Sequence, residues 1–212
     1  MLRVLTVNLY NGAASAEALG RILDDVAPDV MAAQELDPGA ARVISSRLPH
    51  GTVAPATDHS GIALASRTPL EVRRQHLPHR DALVGRTDSV TIWCVHLANP
   101  VDFPPRTRAR RGQVREIGRH LNDSTGPLLL VGDLNATPVW PAYRRLTRHL
   151  DDGVAEWARR NGKRPSRTWS YRAWVPPVLR IDHALVRDLK VHDTFTVEVP
   201  GSDHRALVVD VG

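Results

Sequence analysis

The sequence is poor in cysteine, lysine and aromatic residues, and it has no long apolar run. Cys94 is the only cysteine, which excludes an intrachain disulfide and a zinc site built from several thiolates. It lies in the apolar run 90–95, which favours a small buried thiol over a nucleophile. Aromatic residues make up only 5% of the chain, so the core is predicted to consist of Val, Leu, Ile and Ala. No segment approaches the length of a membrane span, so no stable membrane insertion is expected.

The positive charge is carried almost entirely by arginine. Lys163 and Lys190 are the only lysines among 28 basic residues, and the formal net charge is +5. A basic balance favours anionic partners such as nucleic acid, phospholipid or phosphorylated metabolites. Coding bias explains the arginine excess equally well, so charge alone does not select nucleic acid. No separate apolar segment precedes the strand-like run 2–7, so a cytoplasmic location is expected, with secretion after processing left open.

Strand-length apolar runs alternate with helical segments along the chain. Helices are predicted over about 16–26, 38–48, 106–121 and 141–146, and Ser15 is placed to cap the first. Strands are predicted over 2–7, 30–33, 51–54, 62–66, 70–75, 90–97, 127–131, 181–186, 191–197 and 206–211. The three strands between residues 51 and 75 are expected to form an antiparallel meander. The polar segment 152–165 is left unassigned.

The mixture of hairpins and strand–helix–strand units predicts an α/β (α+β) fold of two packed sheets flanked by helices. The length suits one domain over residues 1–212, with no short repeat and no low-complexity linker. Pro100–Pro105 and Arg172–Pro177 are interpreted as loops rather than domain boundaries. No heptad pattern indicates self-association, so a monomer is expected.

Several of the apolar runs end in polar residues that can bind a metal or a phosphate. These residues are Asn8, Gln34 with Glu35, His96, Asp133 with Asn135, Asp182, and Asp203 with His204. Loops at strand ends are where a rigid scaffold presents polar groups to a common cleft. A single carboxylate at a strand end is more often a turn former. Six such sites in one small chain therefore predict a shared catalytic cleft.

This ordered set resembles the endonuclease/exonuclease/phosphatase superfamily, which has the DNase I-like fold. The matching motifs are residues 8–12 (Asn-Leu-Tyr-Asn-Gly), 34–35 (Gln-Glu), 96–97 (His-Leu), 132–138 (Gly-Asp-Leu-Asn-Ala-Thr-Pro), 180–182 (Arg-Ile-Asp) and 202–204 (Ser-Asp-His). They follow the family order over nearly the whole chain. The resemblance implies a four-layered sandwich of two mixed β-sheets with outer helices. It also implies a hydrolase that depends on Mg²⁺ or Mn²⁺ and cleaves a phosphate ester with water.

The resemblance implies a metal site of oxygen ligands. Glu35 is the expected principal ligand, with Asn8 beside it and Asp203 completing the site. One or two carboxylates suffice, because a hard divalent cation keeps several of its waters. An ordinary turn residue is the alternative interpretation of Asn8.

The remaining motif residues are assigned to the chemical step. Asp133 and Asn135 resemble the pair that positions and deprotonates the attacking water. His204 resembles the histidine that contacts the scissile phosphate, and Asp182 would orient it. His96 is expected to donate to a non-bridging oxygen or to act as a general acid. The alternative for Asp182 is an ion pair with Arg180, and the other histidines, including His59 and His183, are given no role.

Substrate binding is assigned to Arg111, Arg167 and Trp169. If residues 106–121 are helical, Arg111 shares one face with Arg108, Arg115 and Arg119, and a solvated helix face is the alternative interpretation. Family members often carry an arginine and a glutamine in this helix, matched here by Arg111 or Arg108 with Gln113. A second basic stretch, 159–167, precedes interleaved aromatic residues of the kind that stack on bases (Trp169, Tyr171 and Trp174). The alternative interpretation of these aromatic residues is that they cap the core or bind a lipid or a metabolite.

The leading hypothesis is a nuclease-like phosphodiesterase acting on DNA or RNA. His96 is shared with DNase I-like nucleases, sphingomyelinases and several phosphatases, whereas exonuclease III-like enzymes usually carry tyrosine near this point. The runner-up is a phosphomonoesterase or phospholipase-C-like enzyme acting on a small or lipid phosphate. A catalytically inactive binding protein of the same fold is the third hypothesis. Salt dependence separates the first two, because binding of a polyanion weakens steeply with salt.

Overall fold

The computed structural model describes residues 1–101, 106–172 and 174–212. The strands are β1 (Leu2–Asn8), β2 (Val30–Gln34), β3 (His50–Ala54), β4 (Ile62–Ser66), β5 (Glu71–Gln75), β6 (Ala82–Arg86), β7 (Thr91–His96), β8 (Leu128–Asp133), β9 (Asp151–Asp152), β10 (Asp182–Arg187), β11 (Val191–Glu198) and β12 (Arg205–Val211). The helices are α1 (Ala16–Val26), α2 (Pro38–Arg47), α3 (Thr107–Asp123), α4 (Pro141–Leu146) and α5 (Gly153–Arg160).

The strands form two six-stranded sheets. The first sheet has the order β11-β12-β1-β2-β4-β3, and the second has the order β5-β6-β7-β8-β10-β9. Each sheet is mixed, because β1 pairs with β2 in parallel and β7 pairs with β8 in parallel, while the other described pairs are antiparallel. This confirms the predicted arrangement of two mixed sheets.

Three apolar clusters hold the layers together. The cluster between the sheets contains Val4, Leu64, Ile92 and Val131. The second cluster joins α1 and α2 to the outer face of the first sheet, and the third joins α3 and α4 to the outer face of the second sheet. Large aromatic side chains are rare in all three clusters, so aliphatic packing supplies most of the burial, as the composition predicted.

Local signals in the sequence set the first helices. Ser15 caps α1 by accepting a hydrogen bond from the Ala18 N–H at 3.2 Å, as expected for an N-cap serine. Asp37 caps α2 in the same way and is followed by Pro38 in the first turn. Asp37 lies two residues after Glu35, so this cap also restrains the short segment between the end of β2 and the start of α2.

The predicted meander over residues 51–75 is wrong in one strand. β3 and β4 pair as expected, but β5 lies in the other sheet and pairs with β6. β4 is already flanked by β2 and β3, so it has no free edge for a third partner. The sequence interpretation also missed β6, β9 and α5.

The predicted loops Pro100–Pro105 and Arg172–Pro177 include residues 102–105 and 173, which lie outside the described residues. Cys94 is fully buried, and burial raises the pKa of its thiol to about 12, which confirms its structural role. Among the residues that the structure describes, no helix combines the length and the apolar character needed to cross a bilayer.

Candidate active site

Strand register in the second sheet places three of the expected catalytic residues in one row. His96 is paired with Asp133 across the parallel strands β7 and β8. Asp133 is in turn paired with Asp182 across the antiparallel strands β8 and β10. The end of β7, the end of β8 and the start of β10 therefore meet at one edge of the sheet.

The first sheet supplies the opposite side of the site. Asn8 ends β1 and is paired with Gln34 at the end of β2, so Glu35 follows directly beside it. His204 immediately precedes β12, the antiparallel neighbour of β1. Ser202 fixes this approach, because its hydroxyl donates to the Asn8 carbonyl at 2.8 Å and accepts from the His204 N–H at 3.0 Å.

Asp133 is the point at which the two sides meet. Its Oδ2 accepts hydrogen bonds from Asn8 Nδ2 at 3.1 Å and from Asn135 Nδ2 at 3.0 Å. His96 Nε2 lies 3.6 Å from the same oxygen, and His204 Nε2 lies 3.9 Å from it. The carboxyl is 1% exposed, and burial raises its pKa to about 7 although the His204 charge opposes the shift.

His204 and Asp182 form a buried hydrogen-bonded pair. His204 Nδ1 lies 2.9 Å from Asp182 Oδ2. Burial alone would lower the pKa of His204, but the charge and hydrogen bond of Asp182, together with Asp133 and Asp203, raise it to about 10. His204 is therefore an imidazolium at neutral pH, with Nε2 directed towards the carboxylates. Arg180, the alternative partner considered for Asp182, instead pairs with Asp152 at 2.7 Å.

His96 is held in the opposite protonation state. Burial, followed by the nearby charges of Arg80 and His204, lowers its pKa well below the usual value. Arg80 Nη1 lies 2.8 Å from His96 Nε2 and 3.2 Å from its Nδ1, so a guanidinium charge lies against the ring and opposes its protonation. A neutral His96 suits hydrogen bonding to a phosphate oxygen better than general acid catalysis.

Glu35 has a partner on each carboxylate oxygen. Oε1 accepts from Asn8 Nδ2 at 3.2 Å, and Oε2 lies 2.6 Å from His59 Nδ1. The Asn8 amide oxygen meanwhile accepts from the Tyr10 N–H at 3.0 Å. In this arrangement the Asn8 amide nitrogen faces the two acidic groups, so Asn8 holds Glu35 beside Asp133, and its assignment as a metal ligand stays a prediction.

Asp203 supplies the observation that tests a metal site. Its Oδ2 accepts from Trp169 Nε1 at 2.9 Å, whereas its Oδ1 is buried without a hydrogen-bond partner. Burial raises the pKa of Asp203, and the charge of Glu35 contributes to the rise. Within residues 1–101, 106–172 and 174–212, no group of three His, Cys, Asp or Glu side chains has the geometry of a metal site. The donor set is nevertheless of the chemical kind that a hard cation binds, because it offers carboxylate oxygens and one of them, Asp203 Oδ1, has no hydrogen-bond partner.

A cleft of about 770 Å³ opens onto these groups. Its wall combines the expected site residues with three aromatic residues, Tyr10, Trp140 and Trp169, and with two arginines, Arg80 and Arg106. Trp169 is thus placed where a substrate would contact it. Arg111 and Arg167, which were also expected to bind substrate, are exposed and lie outside the cleft lining.

An arginine and a glutamine of α3 make hydrogen bonds to the loops that carry the site residues. Gln113 is the predicted residue, but the arginine is Arg110 rather than Arg108 or Arg111. Arg110 is 7% exposed, and it donates to the Ala98 carbonyl at 2.6 Å and to the Asn135 carbonyl at 2.9 Å. It therefore ties the loop after β7 to the loop after β8.

His183 supports the same loop from the neighbouring strand. Its Nε2 lies 2.8 Å from the Ala136 carbonyl, which identifies it as the donor. Burial, followed by the charge of Arg180, lowers the pKa of His183 to about 4, so the ring is neutral. No role was predicted for His183, and the structure gives it a supporting one.

Comparison with known proteins agrees with this arrangement. The family model of the Endonuclease/Exonuclease/phosphatase family matches residues 5–204. No match to a curated protein was found.

Solved structures with the same fold cover the whole chain. A 3' phosphatase (NExo) from Neisseria bound to a product DNA hairpin is 20% identical, with a TM-score of 0.78 and 100% of both chains covered. A humanized D. rerio TDP2 is 18% identical, with a TM-score of 0.75 and coverage of 100% of this chain and 98% of that one. A functionally unknown conserved protein from Enterococcus faecalis V583 is 17% identical, with a TM-score of 0.72 and coverage of 100% and 99%. The two six-stranded sheets and the family match over residues 5–204 lead to one conclusion. The chain belongs to the endonuclease/exonuclease/phosphatase family.

Proposed function

We propose that this protein is a divalent-metal-dependent phosphodiesterase that hydrolyses nucleic acid. The observation that carries the proposal is the position of Asp133 between two histidines in opposite protonation states. A carboxylate with a pKa of about 7 can accept a proton at neutral pH, while His204 beside it remains charged. This combination suits the attack of water on an anionic ester.

Asp133 is assigned as the general base. Its Oδ1 accepts the Asn135 N–H at 2.7 Å and its Oδ2 accepts the Asn135 side-chain amide, so the carboxylate is held in one orientation. Asn135 is itself fixed, because its amide also donates to the Leu97 carbonyl at 3.0 Å. Preorganisation of this kind reduces the geometric cost of reaching the attacking position.

The two histidines are assigned to the phosphate. The charged His204 donates from Nε2 to a phosphate oxygen, while Asp182 holds its other ring nitrogen. The neutral His96 binds a second oxygen by a hydrogen bond. Because His204 comes from the first sheet and His96 from the second, the phosphate is held from both sides of the cleft.

Glu35 and Asp203 are assigned as the protein ligands of Mg²⁺ or Mn²⁺. Bound there, the cation would neutralise charge on the phosphate and on the leaving oxygen. Asn8 and His59 orient Glu35, and Trp169 orients Asp203. Asp203 Oδ1, which has no hydrogen-bond partner, is then available as an oxygen ligand of the cation.

Nucleic acid is favoured as the substrate by the cleft and by the relatives. The cleft offers indole rings and guanidinium groups, which match bases and phosphates. Among the similar structures are a 3' phosphatase bound to a DNA hairpin and a 3'-5' exonuclease from Neisseria meningitidis. The first of these supports a second candidate function, the removal of a terminal phosphate monoester from a nucleic acid end.

The test compares four substrates in the presence of Mg²⁺ or Mn²⁺: plasmid DNA, a 3'-phosphorylated oligonucleotide, bis-p-nitrophenyl phosphate and p-nitrophenyl phosphate. Glu35→Ala, Asp133→Asn and His204→Ala should each reduce turnover at least 100-fold, because loss of a positioned acid or base costs about 10²–10⁴-fold. His76→Ala is the matched control, since that imidazole is 87% exposed. Cleavage of plasmid supports the diesterase, and release of only the terminal phosphate supports the second candidate. Turnover that survives all three substitutions would refute the proposed site.

A further inference from the structure

One face of the molecule outside the cleft is covered by arginine. Helices α3 and α4 pack side by side on the second sheet through buried side chains such as Val114, Ile117 and Leu146, so their solvent faces point the same way. The exposed arginines of this face are Arg108, Arg111, Arg115 and Arg119 on α3, Arg144 and Arg145 on α4, and Arg148 just after it. We call these seven residues the arginine face.

Few carboxylates balance this charge. Within α3 and α4 the only acidic residues are Glu116 and Asp123, and Glu116 is paired with Arg119 at 3.0 Å. Like charges three or four residues apart on a helix repel each other. The first turn of α3, which follows the N-cap residue Arg106, also has no acidic residue, although the helix dipole favours negative charge there. A bound polyanion would relieve both unfavourable arrangements.

The arginine face is continuous with the cleft. Arg106 at the start of α3 and Trp140 at the start of α4 both line the cleft. From Arg108 to Arg119 the helix rises roughly 16 Å at about 1.5 Å per residue. A DNA duplex carries one phosphate about every 3.4 Å of its axis on each strand, so this length matches about five phosphates.

We infer that the arginine face binds the phosphate backbone of nucleic acid and holds the part of the substrate that lies beyond the cleft. The inference rests on the proposed function, because it states where the uncleaved part of that substrate lies. Arginine suits this task, since its planar guanidinium binds phosphate through two parallel hydrogen bonds. Among the described residues of α3 and α4 no large apolar side chain is exposed, whereas a helix that lies on a lipid surface needs an apolar face.

The experiment compares two triple variants, each of which loses three positive charges from a different part of the surface. The triple variant Arg115→Gln/Arg144→Gln/Arg148→Gln alters the arginine face. The matched control Arg42→Gln/Arg73→Gln/Arg86→Gln removes three exposed arginines from other elements. Binding of a fluorescein-labelled 30-base-pair DNA duplex is measured by anisotropy in EDTA over a range of KCl concentrations, and thermal melting confirms that both variants are folded.

The face variant should bind DNA at least tenfold more weakly. The slope of log K against log [KCl] should become shallower by about two to three, because each lost phosphate contact contributes about 0.9 to it. The control should stay within twofold of the unaltered protein. Both variants should hydrolyse bis-p-nitrophenyl phosphate at the original rate, since none of the six arginines lines the cleft.

Equal losses of DNA affinity in the two variants would show that binding depends on net charge and not on the arginine face, and would overturn the inference. So would an unchanged affinity in the face variant, or phosphatidylserine vesicles binding through the face in place of DNA. The proposed function is tested separately: if DNA binds through the face but no ester is hydrolysed, the inference stands and the function fails. If DNA is cleaved and the face variant binds it normally, the function stands and the inference fails.

Discussion

His204 Nδ1 lies 2.9 Å from Asp182 Oδ2, so a histidine that precedes a strand of one sheet is bonded to a carboxylate that begins a strand of the other. This contact raises the pKa of His204 against the effect of burial. It also fixes the ring nitrogen that faces the cleft, because only Nε2 remains available to a substrate.

Asp182→Asn should move the alkaline limb of the pH–rate profile. With Asp182 ionised, His204 has a pKa of about 10 and stays charged through neutral pH. Loss of the neighbouring charge lowers that pKa, so activity that requires the imidazolium is lost at lower pH. The measurement is kcat against pH with bis-p-nitrophenyl phosphate, and the alkaline limb should move to lower pH. Asp88→Asn at an exposed position is the control, and an alkaline limb that stays in place would contradict the assigned pairing.

His59→Ala should weaken metal binding without removing it. His59 donates from Nδ1 to Glu35 Oε2 at 2.6 Å and so restrains the expected ligand. Loss of such an outer partner typically weakens metal affinity by about 10- to 100-fold. Isothermal titration with Mn²⁺ gives the Kd directly, and the exposed His76→Ala variant controls for histidine removal. An unchanged Kd would show that His59 does not orient Glu35.

Arg110→Met should cost about 2–4 kcal/mol of unfolding free energy and also reduce kcat. The substitution removes the hydrogen bonds to the carbonyls of Ala98, Leu134 and Asn135, and a buried group left unpaired costs about 1–3 kcal/mol. Urea denaturation measures the loss. Arg111→Met, at the exposed neighbouring position, should change stability by at most about 0.5 kcal/mol. Similar losses in the two variants would refute the supporting role of Arg110.

Glu35→Gly should be more stable than Glu35→Ala by about 1 kcal/mol. Glu35 has a φ of 52°, a left-handed conformation that costs a residue with a Cβ about 1–2 kcal/mol. Both substitutions remove the carboxylate, so their difference isolates the backbone effect. The control pair is Ser45→Gly and Ser45→Ala inside α2, where alanine should be the more stable by a similar amount. The same sign at both positions would show that the Glu35 backbone is unstrained.

The sequence predicted the strand ends of the site better than the groups that support them. Asn8, Glu35, His96 and Asp133 follow apolar runs and His204 precedes one, so the apolar pattern places each beside one end of a buried strand. Register then brings them together, and register depends on pairing that distant segments make only in the folded sheet. The misplacement of β5 has the same origin, because nothing local indicated that β4 had no free edge.

The missed supporting residues differ in how readily they could have been found. Arg110 was within reach, since it lies three and four residues before the buried Gln113 and Val114 and so shares their helix face. His59 was not, because it is an exposed loop residue that meets Glu35 only once β2 and β4 are paired.

Hydrogen bonds between the two sheets bring the residues of the candidate site together. Asn8 reaches Asp133 from the first sheet, and His204 reaches Asp182, so neither sheet contains a working site by itself. A small slip of one sheet over the other would separate Asp133 from His204 and disturb the apolar cluster between the sheets, while the strand pairing within each sheet stays in place. Turnover is therefore expected to be more sensitive to the relative position of the two sheets than the secondary-structure content is. On heating, turnover should be lost before the circular dichroism of the strands changes.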